Sequence, residues 1–467
     1  MRRILVVGGG YAGFYTAWHL ERRMRRGEAE VTLVDPRGYM TYQPFLPEVA
    51  VGSIEPRHTA VSLRRHLRRT TVVTGYVTSI DHAHRSATVR TADGLPRTLH
   101  YDTVVVTAGA VTRSYPIPGL ADEGIGLKHV EEAVAVRDRL LSSFERAACL
   151  PAGPARSKLL TTVVVGGGFT GVEVFGELLG LAASLVRRYP EIDASEPSLH
   201  LVEAHDRILP EVSERPGRWV VRHLESRGGH VHLGTTVRSA EGGHVELADG
   251  GVVDAGLLVW AAGNGTNPVV ARQTDLPVDE RGLVVARADL RVGTDEHPVP
   301  DAWAAGDNAS VPDLASHVPG AHTVPNAQHA VRQARLLAKN ILADLRGRPP
   351  RRYVHHSLGT VATLGLGHGI FQYRRLVITG LPAWLIHRSY HVLAVPTWER
   401  KVRVALGWTA SLALGRDIVA LPTVQRPRAA FLAGGEPDLL LDDATAPSDV
   451  ARATPEPVTT GAVARSV

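Results

Sequence analysis

Cysteine is almost absent from this chain of 467 residues, which has only Cys149. One thiol cannot form an internal disulfide, a dithiol redox pair or a cysteine zinc site, so a mechanism that passes electrons through an enzyme disulfide is excluded. A chain without disulfides also suits a reducing compartment. Cys149, in Arg146-Ala-Ala-Cys-Leu150, reads as a small apolar residue near a helix end. Lysine is nearly as scarce, with 4 Lys against 48 Arg, and no run of five basic residues occurs. The net charge is only +5, so the arginine bias is not read as a nucleic-acid signal. Long apolar runs are missing too. The N-terminal run stops at Gly8 after four residues, where a signal sequence needs about 7–15. The stretch from Val404 to Gly415 has twelve residues, where a membrane-spanning helix needs about 20.

The remaining composition is that of a folded chain. Hydrophobic residues make up 44% and charged residues 21%, enough to bury a sizeable core and too few charges for a solvated, disordered chain. The length suits two to four domains.

Two strand–glycine–helix units recur 158 residues apart. The first is Ile4-Leu-Val-Val-Gly-Gly-Gly-Tyr-Ala-Gly13, followed by a helical pattern from Phe14 to Arg26. The second is Thr162-Val-Val-Val-Gly-Gly-Gly-Phe-Thr-Gly171, followed by one from Val172 to Arg188. Each leads to another strand, Val31 to Asp35 and Leu199 to Glu203. This is a βαβ unit twice over, and continuous Val/Ile/Leu strands alternating with helices predict parallel sheets covered on both faces. Short β patterns follow in both halves. They cover Thr71 to Ser79, Ser86 to Thr91 and Leu99 to Thr107 in the first, and His230 to Leu233, His244 to Leu247 and Val252 to Trp260 in the second. A helix is predicted from about Asn326 to Arg346, broken by Pro349-Pro350. From Pro422 the periodicity vanishes, and residues 426–467 read as a disordered tail, with Phe431 or Leu439 to Leu441 as a short contact.

A glycine-rich turn between strand and helix lets a pyrophosphate approach the backbone at the helix N-terminus. Gly8, Gly10 and Gly13 have that spacing, and Asp35 ends the next strand, where a carboxylate accepts from ribose hydroxyls. Gly166, Gly168, Gly171 and Glu203 repeat the pattern. An acid at this strand end favours NADH, because it repels a 2′-phosphate, although Arg207 lies close enough to weaken the preference. Ala302-Trp-Ala-Ala-Gly-Asp307 is a strand ending in a tight turn with a carboxylate. Val105-Val-Thr-Ala-Gly109 and Val259-Trp-Ala-Ala-Gly263 read as strand-end crossings. His82 and His84, His230 and His232, and His355 and His356 have no companion at ligand spacing, so no metal site is expected.

Across roughly residues 2 to 421 this pattern resembles the type II NADH dehydrogenases, which are single-subunit, non-proton-pumping NADH:quinone oxidoreductases with two Rossmann-like dinucleotide-binding domains. The resemblance implies an α/β fold. An FAD-binding domain would occupy 1–120 and 264–370, and an NAD(H)-binding domain 121–263. A C-terminal membrane-surface and quinone-site section would follow over 371–425. It implies that Gly8, Gly10, Gly13, Asp35, Gly109 and Asp307 hold FAD, and that Gly166, Gly168, Gly171, Glu203 and Gly263 hold NADH.

Thr41-Tyr-Gln-Pro-Phe-Leu-Pro-Glu-Val-Ala50 resembles the segment beside the flavin ring. Gly171-Val-Glu-Val-Phe-Gly-Glu177 places Glu173 near flavin and nicotinamide. Pro325-Asn-Ala-Gln-His-Ala-Val-Arg-Gln333 resembles the quinone-site helix, whose pattern is Ala-Gln-x-Ala-x-Gln, except that Arg332 replaces the final Gln. Glu173 and Gln328 are thus the catalytic candidates, with Gln328 also among the cofactor contacts. Leu358 to Gly365, Gly380 to Trp384 and His391 resemble the last folded section. Thr397 to Leu421 reads as an amphipathic helix pair, with Trp398, Val402, Leu406, Trp408, Leu412 and Leu414 among basic residues, of the kind that lies in the headgroup plane. The implied setting is peripheral, on the cytoplasmic face of the cell membrane, with a quinone as partner, no nucleic acid and a homodimer left open. Two alternatives stand beside it. One is a soluble NAD(P)H-dependent flavoprotein reductase of a ferredoxin or small electrophile. The other is a redox sensor that binds FAD and NADH without turnover.

Overall fold

The computed structural model describes residues 1–421, so the tail expected over 426–467 lies outside the described residues. Strand Arg2–Val7, buried from Ile4 onward, lies between Ala29–Asp35 and Thr103–Val106 and runs parallel to both. Thr70–Asp81 and Pro298–Ala304 extend this parallel sheet on either side. An antiparallel meander of Thr70–Asp81, Ser86–Thr91 and Pro96–His100 completes its eight strands with Arg291–Gly293 at the other edge. A second sheet is parallel throughout, in the order Gly124–Gly126, Leu257–Trp260, Thr161–Val165, Ser198–Glu203, Gly229–Leu233. In both sheets the glycine loop leaves the central strand where the strand order reverses, which opens a crevice at the carboxyl ends.

Two predicted strands are each split in two. Leu99 to Thr107 divides into Pro96–His100, on the outer meander, and Thr103–Val106, inside the parallel sheet. The corner is pinned by Asp102, which accepts the Arg3 backbone N–H at 2.7 Å and its guanidinium at 2.9 Å. Val252 to Trp260 divides into Val252–Asp254 and Leu257–Trp260. Here Gly256 passes so close to the neighbouring chain that a Cβ would lie 2.8 Å from the Lys158 carbonyl oxygen. The interruption falls at the same place in both halves.

The boundary expected at residue 370 falls inside strand Gly369–Tyr373, the centre of an antiparallel sheet formed with Thr360–Thr363 and Leu376–Thr379. The C-terminal helix pair is Leu381–Ala394 and Trp398–Leu414, so the pair expected over Thr397 to Leu421 is one helix whose partner lies upstream. The helix predicted from about Asn326 to Arg346 spans Ala327–Leu345, with Asn326 and Arg346 as its caps, and Gly347 follows with φ +66°. Helix Phe169–Val186 has the length and apolarity of a membrane span, but 67% of it is buried inside the protein.

Candidate functional site: two glycine loops and a buried polar cluster

The first loop is built so that only glycine fits. Gly8 has φ +96°, and a Cβ there would lie 2.4 Å from the Thr107 carbonyl oxygen. A Cβ on Gly13 would come within 1.8 Å of the Gly8 carbonyl oxygen, so its absence lets helix Tyr11–Arg23 start against the strand. Around Gly10 there is nothing within 4 Å, which leaves the helix N-terminus clear for an anion. Asp35 accepts the backbone N–H groups of Gly9 and Arg37, both at 2.7 Å. Burial nevertheless raises its carboxyl group, outweighing those two bonds.

The chain returns to this crevice at Asp307. Gly306 donates its N–H to Gln333 Oε1 at 2.8 Å, and Gln333 Nε2 donates to Thr323 Oγ1 at 3.2 Å. Asn308 accepts the Gly109 N–H at 3.0 Å and donates to the Val106 carbonyl at 3.1 Å, tying the turn to the crossing strand. Asp307 has no hydrogen-bond partner among the described residues. Burial pushes its carboxyl up, against the opposing charge of Lys128. The Tyr11 hydroxyl is also buried without a partner. The crevice thus holds an unpaired acceptor, an unpaired hydroxyl and an open helix N-terminus.

The second loop repeats the first. Gly166 has φ +115°, and a Cβ on Gly171 would again lie 1.8 Å from the carbonyl oxygen of the first glycine of its loop. The space around Gly168 is open. Glu203 accepts from Gly167 N–H and, at 2.8 Å, from His205 N–H. The Arg207 guanidinium donates to the carbonyls of Pro210 and Val212 in its own loop, which commits it away from the Glu203 carboxylate. Gly263, at φ +82°, accepts the Arg113 N–H at 3.3 Å where the chain leaves this crevice.

Glu173 sits in the second turn of helix Phe169–Val186 and is buried. Its Oε1 accepts the Thr363 N–H at 3.1 Å and lies 3.3 Å from His387 Nε2. Burial pushes its carboxyl up to about 8, against the Thr363 bond and helped by the charge of Glu177. His387 is driven down to about 3, by burial first and then by Arg388. The contact at neutral pH is therefore between a carboxylic acid and a neutral imidazole, not an ion pair.

Around it lies a cluster that sequence reasoning did not assemble. Glu177 accepts from Thr363 Oγ1 at 3.3 Å and from Arg416 at 2.7 Å. Glu48 is raised to about 7, mainly by burial, while Arg388 at 3.5 Å and the Trp408 indole N–H at 2.6 Å oppose the shift. His391 lies with its ring centroid 4.4 Å from that of His387 and its Nδ1 3.0 Å from the Tyr42 hydroxyl. The signal available in the sequence was the position of Glu173 and Glu177 one helical turn apart on the same face. Nothing local linked either to residues 387–416.

One expectation needs correction. Trp408 is not an outward anchor: it is 8% exposed and bonded to Glu48. On the helix that follows the Asp307 turn, the Gln328 amide oxygen accepts from Arg332 at 3.0 Å. The glutamine that braces the turn is Gln333, 1% exposed. One step along the helix rotates a side chain by about 100°, and that rotation carries Gln333 inward.

The model of the pyridine nucleotide-disulphide oxidoreductase family matches residues 2–334. The chain is 28% identical to a type II NADH:quinone oxidoreductase of Mycobacterium tuberculosis, over 88% of each chain. It is 28% identical to the demethylphylloquinone reductase of Synechocystis, over 87% of this chain and 95% of that one. The fold matches NDH2 of Plasmodium falciparum, solved with NADH, at a TM-score of 0.80 and 17% identity, over 90% of this chain and 99% of that one. The chain belongs to the pyridine nucleotide-disulphide oxidoreductase family, and its similarity along most of its length is to the type II NADH dehydrogenases.

Proposed function

We propose that this protein is an FAD-dependent NADH:quinone oxidoreductase that pumps no protons and works at the cytoplasmic surface of the cell membrane. The observation that carries the reading is the first crevice, where a glycine loop with an open helix N-terminus faces a second carboxylate, Asp307, that has no hydrogen-bond partner among the described residues. Those residues fit a flavin dinucleotide. The loop N–H groups and the helix dipole suit its pyrophosphate, Asp35 its adenosine ribose, and Asp307 its ribityl hydroxyls. The second loop suits NADH, with Glu203 placed to accept from a free ribose 2′-hydroxyl.

The chemistry that FAD supplies when bound is acceptance of a hydride from NADH and delivery of two electrons to a quinone. The protein binds, orients and excludes water. Glu173 holds a proton at its carboxyl group at neutral pH, which suits a reaction whose product takes up two protons. Gln328 and Arg332, joined by a hydrogen bond, present a donor pair to an acceptor carbonyl. The single cysteine, exposed at Cys149, separates this reading from any relative that turns over through a dithiol.

The outer face of helix Trp398–Leu414 favours a membrane acceptor over a water-soluble one. Trp398, Val402 and Leu406 recur every four residues and are 80%, 51% and 65% exposed, while Val404 and Trp408 face inward. A yellow protein whose flavin is bleached by NADH and reoxidised faster by quinones than by ferredoxin or dyes is the expected result. A protein that stays colourless with added FAD, or transfers electrons only to water-soluble acceptors, overturns it.

A further inference from the structure

An open groove of about 750 Å³ lies between the end of helix Tyr11–Arg23, residues 65–69 and the turn joining the two C-terminal helices. Its lining includes the cations Arg22, Arg65, Arg68, Arg69 and Lys401, against one carboxylate, Glu21. All of these cations but Arg68 are held by a contact. The Arg22 guanidinium stacks on the Trp18 ring at 4.1 Å. Arg69 donates to the Glu21 and Met24 carbonyls, at 2.6 and 3.2 Å, at the end of the first helix. Lys401 reaches the Leu393 carbonyl across the turn. Arg65 alone has a carboxylate partner, Glu399 at 3.0 Å, whereas Arg22 and Arg68 are exposed with no carboxylate partner among the described residues.

The lining is apolar as well as basic. Leu393 and Trp398, on the facing ends of the two C-terminal helices, are 70% and 80% exposed. From them the outward face of the last helix continues through Val402 and Leu406. Guanidinium groups beside an exposed Leu–Trp edge match a ligand with an anionic head and a hydrocarbon tail. A free anion would leave the apolar edge unused, and a neutral lipid would leave the cations unanswered.

We propose that this groove is a binding site for one anionic phospholipid. Its phosphate is held by Arg22, Arg68 and Arg69, and its acyl chain lies along Leu393 and Trp398. The site rests on the membrane-surface reading above but adds a specific lipid contact from the N-terminal half, outside the C-terminal helices. Bound there, a lipid bridges the first dinucleotide unit to the membrane-facing turn and fixes the height of the protein above the bilayer.

The test is co-sedimentation of the full-length, flavin-loaded protein with phosphatidylcholine vesicles and with vesicles that also contain phosphatidylglycerol. Preference for the anionic vesicles is expected. Reversing Arg22 and Arg68 together, R22E/R68E, should weaken that binding by more than about thirtyfold, since each basic residue at the surface contributes about 1 kcal/mol and reversal adds repulsion to that loss. The R22Q/R68Q pair should give a smaller loss. The exposed pair R146E/R215E makes the same change in net charge away from the groove and should leave binding close to native. Equal losses for the groove and control pairs would show only bulk attraction and overturn the site. Displacement by inorganic phosphate but not by chloride at equal ionic strength would assign the groove to a free anion instead. Flavin bleaching by NADH in the same samples reads the enzymatic proposal separately. Native bleaching with lost lipid preference isolates the groove, while absent bleaching with intact lipid preference rejects the enzyme and keeps the site.

Discussion

Tyr15 and Glu173 occupy the same place in the two halves, each two residues beyond the third glycine of its loop. The loops around them agree closely: in both, a Cβ on the third glycine would come 1.8 Å from the same carbonyl. What differs is the side chain that follows. Tyr15 presents a hydroxyl 3.5 Å from the Ala394 carbonyl, and Glu173 a carboxyl 3.3 Å from His387. Both partners belong to helix Leu381–Ala394, so one C-terminal helix touches the same position of each half. The repeated frame keeps its loop geometry and differs where it meets the rest of the protein. The chain also returns to the first crevice at Asp307, and no equivalent turn meets the second among the described residues. That asymmetry suits a resident cofactor in the first and an exchanging one in the second.

The strongest way to break this comparison is to fill both third-glycine positions in turn. Gly13→Val should yield protein that no longer retains flavin, read as loss of the visible flavin band after gel filtration. Overpacking of this kind costs about 1–3 kcal/mol or more, so a destabilised fold, checked by far-UV circular dichroism, accompanies it. Gly171→Val should keep the flavin and lose its bleaching by NADH. If either variant shows the behaviour assigned to the other, the roles of the two crevices are reversed.

The divergent position gives a test of pH dependence. Glu173 has an ordinary value of 4.5 and is raised to about 8 in the fold. Between those values the unfolded chain has lost the proton that the folded protein keeps, so the stability contributed by this group falls as pH rises through that window and levels off above it. His387, lowered to about 3, contributes the opposite slope below its ordinary value of 6.5, so the test is the difference between variant and native. The melting temperature of Glu173→Gln should gain on that of the native protein as pH rises through the window. Glu48, raised to about 7, adds its own falling contribution in both proteins. Tyr15→Phe, the matching change in the first half, should leave the profile unaltered. Parallel profiles for the native and Glu173→Gln proteins contradict the buried acid.

The smallest effect is expected at the second strand-end acid. Glu203→Gln should narrow the preference for NADH over NADPH by about tenfold in kcat/KM, the scale of one hydrogen bond to a charged group. Because Arg207 is bound to its own loop, Arg207→Ala should change the ratio little. A native enzyme that uses both cofactors equally removes the charge argument.

The glycine loops and both strand-end acids were legible in the sequence because each is fixed by residues within one βαβ unit. The split of Leu99 to Thr107 was not, because its cause, Asp102 bonded to Arg3, lies 99 residues away in the chain. The role of Gln333 turned on which helix face packs inward, a matter decided by the helix Tyr11–Arg23 packed beside it. Trp408 matched an amphipathic surface pattern as well as its neighbours did. Its bond to the buried Glu48 carboxyl group, 360 residues away in the chain, distinguishes it.

The bond between Trp408 and Glu48 spans 360 residues, and its consequence lies in the order of assembly. During synthesis the first βαβ unit emerges with Glu48 uncovered, and nothing supplies its indole partner until almost the whole described chain has left the ribosome. Arg388 and Arg416, the cations that meet Glu48 and Glu177, arrive equally late. Interior closure is therefore a final, long-range step with a high loop-closure cost. The nascent protein spends most of its synthesis with an acidic, half-sealed core, a state in which chaperone protection matters more than the stability of either glycine loop.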